Sequence, residues 1–256
     1  MATPKSVLVV PEPLIKAVRR KIDDPEAQAE ALTALLTISY HPVNVLAFTT
    51  EGGLSTVLKA MARHPAHAGV QEAGCAVLRN LAVDGETVRR IVVDGGAAAV
   101  LVAMRAHVPE AAVQVEALGA LRNLASEASN RVKLVALGVI PPIMGVLRKH
   151  PDVCDLVEQA CGVLRNLAVD AGNKSAIVEA GGIALMIRSL ERHAESPDVQ
   201  DQGVGALCNL ATDARSRLRA VAEGAVPAVL SAMRRHGGHL GVQLNGVGAL
   251  RALSCE

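Results

Sequence analysis

The sequence predicts an all-α protein, a right-handed α-solenoid (superhelix) with three helices in each repeating unit. Two observations lead to this prediction. A set of residues recurs every 43 positions, and Ala, Leu, Val and Gly must build nearly the whole core, because the 256 residues include one Tyr, one Phe and no Trp. Small side chains suit closely packed helices, whereas a β-sandwich would show more aromatic and β-branched residues.

The hexapeptide VLRNLA at 77–82 is the most visible part of the repeat. It returns as ALRNLA at 120–125, VLRNLA at 163–168, ALCNLA at 206–211 and ALRALS at 249–254. Other positions keep the same spacing, namely a glycine (Gly52, Gly95, Gly138, Gly181, Gly224), a histidine (His64, His107, His150, His193, His236) and an acid (Asp84, Glu127, Asp170, Asp213). A fixed period of this length is typical of repeat architectures.

Each unit is expected to contain three helices in a fixed order. The first, at 86–94 in one unit, begins behind the recurrent acid, which can act as an N-cap or complement the helix dipole. It ends at the recurrent glycine, which can adopt the left-handed conformation. The second, at 182–193 in another unit, ends near the histidine, which we expect to cap carbonyls there. The third, at 110–126, carries the motif and has apolar residues at three- and four-residue steps.

The period also predicts the domain organisation. Residues 1–40 are expected to form an N-terminal half-repeat or cap. Residues 41–256 are expected to form five repeats in one continuous solenoid, at about 41–82, 84–125, 127–168, 170–211 and 213–256. No polar capping helix is visible, although terminal repeats normally need one. We therefore expect either a segment of a longer protein or an array whose open end is covered by a partner.

Three helices in about 43 residues, with a glycine between the first and second, resemble the armadillo (ARM) repeat. The stretch AGNKSAIVEAGGIALMIRSLERHAESPDVQDQGVGALCNLA at 171–211 carries the likeness, which extends from about residue 11 onward. The resemblance implies that the third helices line a concave face. It says little about function, because armadillo arrays serve many partners.

The asparagine of the motif is the main candidate for ligand binding. In armadillo proteins that bind extended peptides, the resemblance implies that this residue hydrogen-bonds the ligand main chain; an amide both donates and accepts. Neighbouring helices lie about 8–10 Å apart and an extended chain rises about 3.3 Å per residue, so successive asparagines could reach one ligand. The alternative is structural, with each amide paired to a neighbouring repeat. The candidates are Asn80, Asn123, Asn166 and Asn209.

The residue before the asparagine forms a second row of candidates. Free guanidinium groups there would favour carboxylate or phosphate, which predicts an acidic or phosphorylated segment as the ligand. Alternatively, the arginines pair with the acid row or with Glu72, Glu116, Glu158 or Asp201 on the same type of helix. The candidate peptide-contacting set in and beside this row is Arg79, Arg122, Arg165, Arg251, Glu116, Gln159 and Gln202, with Cys208 interrupting the row.

The position one turn before the asparagine argues against one known kind of partner. Peptide-binding members of the family often place a tryptophan there, which builds pockets for ligand side chains. This sequence has Ala76, Gly119, Gly162, Gly205 and Gly248 at that position. Recognition of a basic localisation signal is therefore not expected.

Composition and motifs exclude several other functions. A formal net charge of +1, from 26 basic and 25 acidic residues, gives no general attraction to nucleic acid or anionic membranes. The uncharged stretch at 135–147 is too short to cross a bilayer. Dinucleotide-binding, P-loop and HExxH motifs are missing, so neither catalysis nor a cofactor is expected. Equivalent histidines on adjacent helices are too far apart to share a zinc ion, so no metal site is expected.

Cysteine usage predicts the compartment. The five cysteines are an odd number without close CxxC spacing, which indicates free, buried thiols in a reducing compartment, cytoplasmic or nuclear. Cys75, Cys161 and Cys208 fall among core positions of third helices. They are expected to act as small buried hydrophobic residues.

Together these features predict a non-enzymatic protein-interaction scaffold. It would bind an extended, acidic or phosphorylated protein segment along the concave third-helix face. The alternative is a structural array that packs end to end or against other domains, with the Asn and Arg rows only stabilising the solenoid. End-to-end self-association through the uncapped C-terminal repeat is a further expectation.

Overall fold

The computed structural model describes residues 12–40, 42–50 and 52–254. Within these ranges the chain is helical and has no strand. Residues 1–11 of the predicted half-repeat, together with Cys255, lie outside the described residues. The helices are α1 (Glu12–Arg20), α2 (Pro25–Ser39), α3 (Pro42–Thr50), α4 (Gly53–Arg63), α5 (Ala68–Leu81), α6 (Gly85–Val93), α7 (Gly96–Ala106), α8 (Ala111–Leu124), α9 (Ala128–Ala136), α10 (Ile140–Lys149), α11 (Cys154–Leu167), α12 (Ala171–Glu179), α13 (Gly182–Arg192), α14 (Pro197–Leu210), α15 (Ala214–Ala222), α16 (Ala225–Arg235) and α17 (Leu240–Ser254).

The helices repeat in threes, as the sequence predicts. First helices are α3, α6, α9, α12 and α15, second helices α4, α7, α10, α13 and α16, and third helices α5, α8, α11, α14 and α17. Helices α1 and α2 take the second and third places of the unit before them. Each third helix packs against the next along the whole series from α2 to α17, and the second helices form a parallel row. The all-α solenoid is therefore confirmed.

A left-handed glycine separates the first helix from the second in each unit. Its φ angle lies between 75° and 94°, a region that residues with a Cβ atom avoid. These residues are Gly52, Gly95, Gly138, Gly181 and Gly224. The sequence prediction for this position is confirmed, and the sharp corner lets the second helix fold back against the core.

The recurrent acid is an N-cap in two units and an ion-pair partner in the two others. Asp84 Oδ1 accepts hydrogen bonds from the backbone N–H groups of Glu86 and Thr87, at 3.0 and 2.9 Å. Asp213 caps α15 in the same way. Glu127 and Asp170 make no capping hydrogen bond; their carboxylates lie 3.4 Å from Arg89 Nη1 and 3.5 Å from Arg131 Nη1.

This difference gives a test with a built-in control. Asp84→Ala is expected to lower the free energy of unfolding by about 1 kcal/mol at neutral pH, and Asp170→Ala by less. Hydrogen bonds, first from the Thr87 backbone N–H, hold the pKa of Asp84 below its usual range. Its contribution is therefore present above the unfolded-state pKa and is lost as pH falls through the folded-state pKa. Urea denaturation over a pH series measures both effects; equal losses for the two variants would contradict the assignment.

The recurrent histidine joins neighbouring repeats, which corrects its predicted role as a cap on its own second helix. Nε2 of each ring lies 2.6–2.8 Å from a loop carbonyl of the preceding repeat, so this nitrogen carries the donated proton. The pairs are His64 with Ile22, His107 with Pro65, His150 with Val108, His193 with Pro151 and His236 with Ala194. In four of the five units the end of its own second helix is already capped, and in all five the imidazole reaches across the repeat boundary.

That cap is a glutamine on the third helix, which the sequence analysis missed. Gln114 Nε2 donates to the carbonyls of Met104 and His107, at 2.9 and 2.6 Å, in the last turn and C-cap of α7. Equivalent glutamines make the same pair of bonds, namely Gln28, Gln71, Gln200 and Gln243. These glutamines recur in the 43-residue register, so the sequence could have identified them. Val157 stands at the equivalent position in the remaining unit.

Among the described residues, no single helix is both long and apolar enough to cross a membrane. Only α9 and α10 taken together have the necessary length and composition, and they meet at a bend of 78°.

Candidate functional site

The third-helix face, defined here as the surface of α2, α5, α8, α11, α14 and α17, carries all the predicted peptide-contacting residues. On this face the asparagine amides are paired across repeats. Nδ2 of Asn123, Asn166 and Asn209 donates to a carbonyl of the preceding third helix at 2.9–3.0 Å, and the acceptors are Arg79, Arg122 and Arg165. Carbonyls in the last turn of a helix have no partner within it, which explains the pairing. Asn80 donates instead to Ser39 Oγ, at 3.1 Å.

Pairing of the amides with a neighbouring repeat is what the structural alternative predicts. It still leaves binding capacity, because an amide has two N–H groups and one carbonyl oxygen. Asn123, Asn166 and Asn209 are half-buried. Within the described ranges, their Oδ1 atoms accept no hydrogen bond and their Nδ2 atoms make only the one bond. Each amide therefore presents one acceptor and one donor that the solenoid does not use.

The arginines of the second row are paired, so the predicted condition of free guanidinium groups is not met. Arg79 Nη1 lies 3.0 Å from Glu116 Oε2, and Arg122 Nη1 lies 3.0 Å from Glu158 Oε1. Arg165 Nη1 lies 3.2 Å from Asp201 Oδ2. Each carboxylate belongs to the following repeat, so these ion pairs link successive third helices. Arg251, in α17, is exposed.

The remaining candidates belong to the same clusters. Oε1 of Gln159 accepts a hydrogen bond from Arg122 Nη1 at 3.3 Å, and Oε1 of Gln202 accepts one from Arg165 Nη1 at 3.4 Å. The structure adds Asn245, whose Oδ1 accepts from Arg165 Nη2 at 3.2 Å. Asn245 stands one period after Gln202, so the repeat spacing could have identified it.

The glycines one turn before the asparagines leave space for an arginine side chain of the preceding repeat. A Cβ atom at Gly162 would lie 2.7 Å from Arg122 Nε, and one at Gly205 would lie 2.6 Å from Arg165 Nε. At Gly119 it would lie 2.6 Å from Arg79 Cδ. The arginine side chain of the preceding repeat therefore occupies the space that a larger residue would need. The position is filled by this chain's own arginine and does not form an open pocket.

Two family models match overlapping parts of the sequence. The model described as LRRK2 ARM repeat matches residues 12–135, and the model described as Armadillo/beta-catenin-like repeat matches residues 128–169. The chain belongs to the armadillo repeat family.

Solved structures agree with this assignment. A designed armadillo repeat protein superimposes on the armadillo chain with a TM-score of 0.83 at 20% identity, over 96% of this chain and 100% of the other. A second designed armadillo repeat protein, in complex with the peptide (KR)4, gives a TM-score of 0.80 at 20% identity, over 96% and 100%. A third structure, whose description concerns a phosphorylation switch that controls the interaction between cadherin and beta-catenin, gives a TM-score of 0.81 at 17% identity, over 97% of this chain and 53% of the other. No curated protein sequence matches. At these identities the structures show a shared fold.

Glu116 is a partly buried carboxylate of the armadillo third-helix face. Burial raises its pKa; the neighbouring Arg79 opposes that shift, and Glu72 adds to it. Two acids thus lie near one arginine at this point of the face. Protonation of Glu116 is easier here than in water, because the charged form is partly desolvated.

The armadillo cysteines are free, and they differ in burial. Cys75 and Cys161 are fully buried, and burial raises the pKa of both thiols, that of Cys161 to about 12. They are core residues, as predicted. Cys208 is only half-buried, and Cys154 is exposed, which corrects the prediction of uniformly buried thiols. Cys154 is exposed because it stands at the first position of α11, where the helix begins.

The two polar rows coincide neither with a group of metal-binding side chains nor with the groove between α10 and α13, as far as the described residues show. Within the described part of the chain, no group of three or more His, Cys, Asp or Glu side chains could hold a metal ion. A groove of about 570 Å³ lies elsewhere, between the second helices α10 and α13, beside Leu147, Arg148, Leu185 and Arg188. It contains none of the residues in the two rows, so the candidate site remains an extended polar surface.

Proposed function

We propose that this armadillo chain is a protein-interaction scaffold that binds an extended protein segment along the third-helix face. The observation that carries the proposal is the row of half-buried amides, which keep an unused donor and acceptor at equivalent places in successive repeats. An extended chain presents its own N–H and C=O groups at regular intervals, so such a row can pair with it regardless of side chains. The proposal assigns no catalysis to the chain.

The ligand is proposed to be acidic or phosphorylated. Its anionic group is proposed to replace the carboxylate that pairs with the arginine in the unliganded chain. Arg122 contacts its carboxylate and Gln159 through Nη1 alone, and within the described residues Nε and Nη2 have no partner. Partly exposed pairs of this kind contribute about 0–1 kcal/mol, so a ligand phosphate can displace Glu158 at low cost. A bidentate contact with phosphate is stronger than the single contact it replaces. The structure described by the cadherin and beta-catenin phosphorylation switch is consistent with this chemistry in the fold.

A structural role is the second candidate, and a specific observation favours it. Both polar rows join successive third helices in the unliganded chain, through amide-to-carbonyl bonds and ion pairs. An array that only needs stacked helices would show the same contacts. The two candidates differ in whether the amides also bind a segment added from outside.

The test is selection from an unbiased library. The full chain, immobilised, is challenged with a random-peptide phage library, and each selected peptide is resynthesised in neutral, acidic and phosphorylated forms. We expect the acidic and phosphorylated forms to bind more tightly. The double variant Arg122→Gln/Arg165→Gln should then lose about tenfold in affinity, about 1.4 kcal/mol.

The control is Arg148→Gln/Arg188→Gln, which removes the same charge from the second helices and should bind as the wild type does. Enrichment of basic peptides would contradict the proposal that the ligand is acidic or phosphorylated. Failure to select any peptide would contradict the scaffold proposal and favour the structural array.

A further inference from the structure

The second helices carry charge of almost one sign. We call the surface of α4, α7, α10, α13 and α16 the second-helix face. These five helices contain nine basic residues and one acidic residue, Glu191. The basic residues are all exposed, and they are Lys59, Arg63, Arg105, Arg148, Lys149, Arg188, Arg192, Arg234 and Arg235. The net charge of +1 for the whole chain conceals this segregation, because the rest of the sequence has more acidic than basic residues.

Most of this positive charge has no acidic partner. Three of the nine residues pair with loop acids, and the pairs are Arg63 with Asp23, Arg192 with Asp152 and Arg235 with Glu195. The other six form no ion pair with any described residue. Basic residues in the last turn of a helix stabilise its dipole. Arg188 lies in the middle of α13, so the dipole does not account for it.

The groove between α10 and α13 has an equivalent one repeat further on. The first groove, of about 570 Å³, is partly lined by Leu147 and Leu185. One period later, Leu190 and Ala228 line a groove of about 210 Å³ between α13 and α16. Two grooves therefore lie in succession on the second-helix face, and each presents apolar side chains.

Arginines surround the larger groove. Its lining includes Arg148, Arg188 and Arg192, with Glu191 as the one acid. Nη2 of Arg148 donates to the Ala180 carbonyl at 3.2 Å, which holds this guanidinium beside the groove. Arg188 has no hydrogen-bond or ion-pair partner among the described residues. Guanidinium groups bind carboxylates well. The groove is thus suited to an apolar side chain that has acidic residues beside it.

The spacing of the two grooves favours a helical ligand. Packed helices lie about 8–10 Å apart, so successive grooves are about that far from each other. In an α-helix, residues seven positions apart share one side and lie about 10.5 Å apart. In an extended strand, residues three positions apart span about 10 Å but point to opposite sides. A helix can therefore place one side chain in each groove, whereas an extended segment cannot do so at this distance.

We propose that the second-helix face binds an acidic amphipathic helix of a partner protein. Two apolar side chains, about seven residues apart, would occupy the grooves, and carboxylates would contact Arg148 and Arg188. Nucleic acid is another polyanion that a basic surface attracts. It fits these observations less well, because apolar grooves offer it nothing and the five helices contain no aromatic residue for stacking. This inference is independent of the extended segment proposed for the third-helix face.

Selection from a helical library tests the proposal. A small helical-bundle scaffold with one randomised helix face is displayed on phage and selected against the full chain. We expect enriched faces to be acidic and to carry apolar residues about seven positions apart. Arg148→Gln/Arg188→Gln should lower the affinity for the selected scaffold about tenfold.

The matched control is Arg105→Gln/Arg234→Gln, which removes the same charge from this face at positions that line neither groove and should lower the affinity less. Arg122→Gln/Arg165→Gln, on the third-helix face, should leave it unchanged, so the two proposed sites succeed or fail separately. Circular dichroism verifies that each variant remains folded.

Four results would overturn the proposal. They are the absence of any enriched scaffold, enrichment of basic or uncharged faces, an equal loss of affinity in both second-helix variants, and displacement of the selected scaffold by duplex DNA that binds as tightly. The last result would assign the second-helix face to nucleic acid.

Discussion

Replacing Asn123, Asn166 and Asn209 by alanine together is expected to abolish binding of the selected peptide and to lower the free energy of unfolding by about 3 kcal/mol, at about 1 kcal/mol for each lost hydrogen bond. The loss of stability follows from the cross-repeat bonds to Arg79, Arg122 and Arg165. The loss of binding follows from the unused donor and acceptor of each amide. Fluorescence anisotropy and urea denaturation measure the two effects separately.

A matched triple variant separates binding from stability. Asn44, Asn130 and Asn173 lie on first helices, are buried, and donate to C-terminal carbonyls of third helices, which are those of Ile38, Leu124 and Leu167. Their replacement by alanine should destabilise the fold at least as much and leave peptide affinity unchanged at temperatures where the protein is folded. Equal loss of affinity in both triple variants would show that the third-helix amides act only through stability.

Leu164→Ala is expected to lower the free energy of unfolding by about 2–5 kcal/mol, the largest effect of any single substitution considered for this chain. Leu164 is fully buried in α11, near the middle of the array. Repeats in a solenoid contact only their neighbours, so a weak central repeat uncouples the units on either side. The variant should unfold in two steps in urea, with hydrogen exchange fastest in α11 and the helices packed against it.

The control for this prediction is Leu218→Ala. Leu218 lies on α15 and is 72% exposed, so its truncation removes little buried surface. Its effect should stay within about 0.5 kcal/mol of zero, as for most surface substitutions. A Leu164→Ala variant that unfolds in one step at the wild-type midpoint would contradict both the size of the core contribution and the nearest-neighbour coupling.

The sequence was sufficient for several features that depend on residues close together in the chain. Gly95 has the left-handed conformation that its place between two helices predicts, because only glycine adopts it without strain. Asp84 caps α6 for a similarly local reason, since the backbone N–H groups that donate to its carboxylate lie two and three residues further on. The period also predicted which residues share a row, because equivalent positions in stacked helices face the same way.

Hydrogen-bond partners across repeats were harder to predict. Asn166 donates to a carbonyl 44 residues earlier, and Arg122 pairs with a carboxylate 36 residues later. Those pairings depend on how far each third helix is shifted along its neighbour, and the periodic pattern contains no information about this shift. The predicted partner of the histidine is wrong for the same reason. The carbonyls at the end of its second helix are capped by a glutamine of the third helix, and this contact depends on how the helices pack.

The sequence by itself determined the repeat, its three helices and the identity of the polar rows, because these follow from periodicity and from the backbone preferences of single residues. Tertiary structure decided what the rows do in the unliganded chain. Stacking brings Asn123, Asn166 and Asn209 within reach of carbonyls that have no partner in their own helix. It also places Arg79, Arg122 and Arg165 over a glycine and beside a carboxylate of the next repeat. The groups left unused after these contacts form, one donor and one acceptor on each amide, are what the solenoid can offer to a partner.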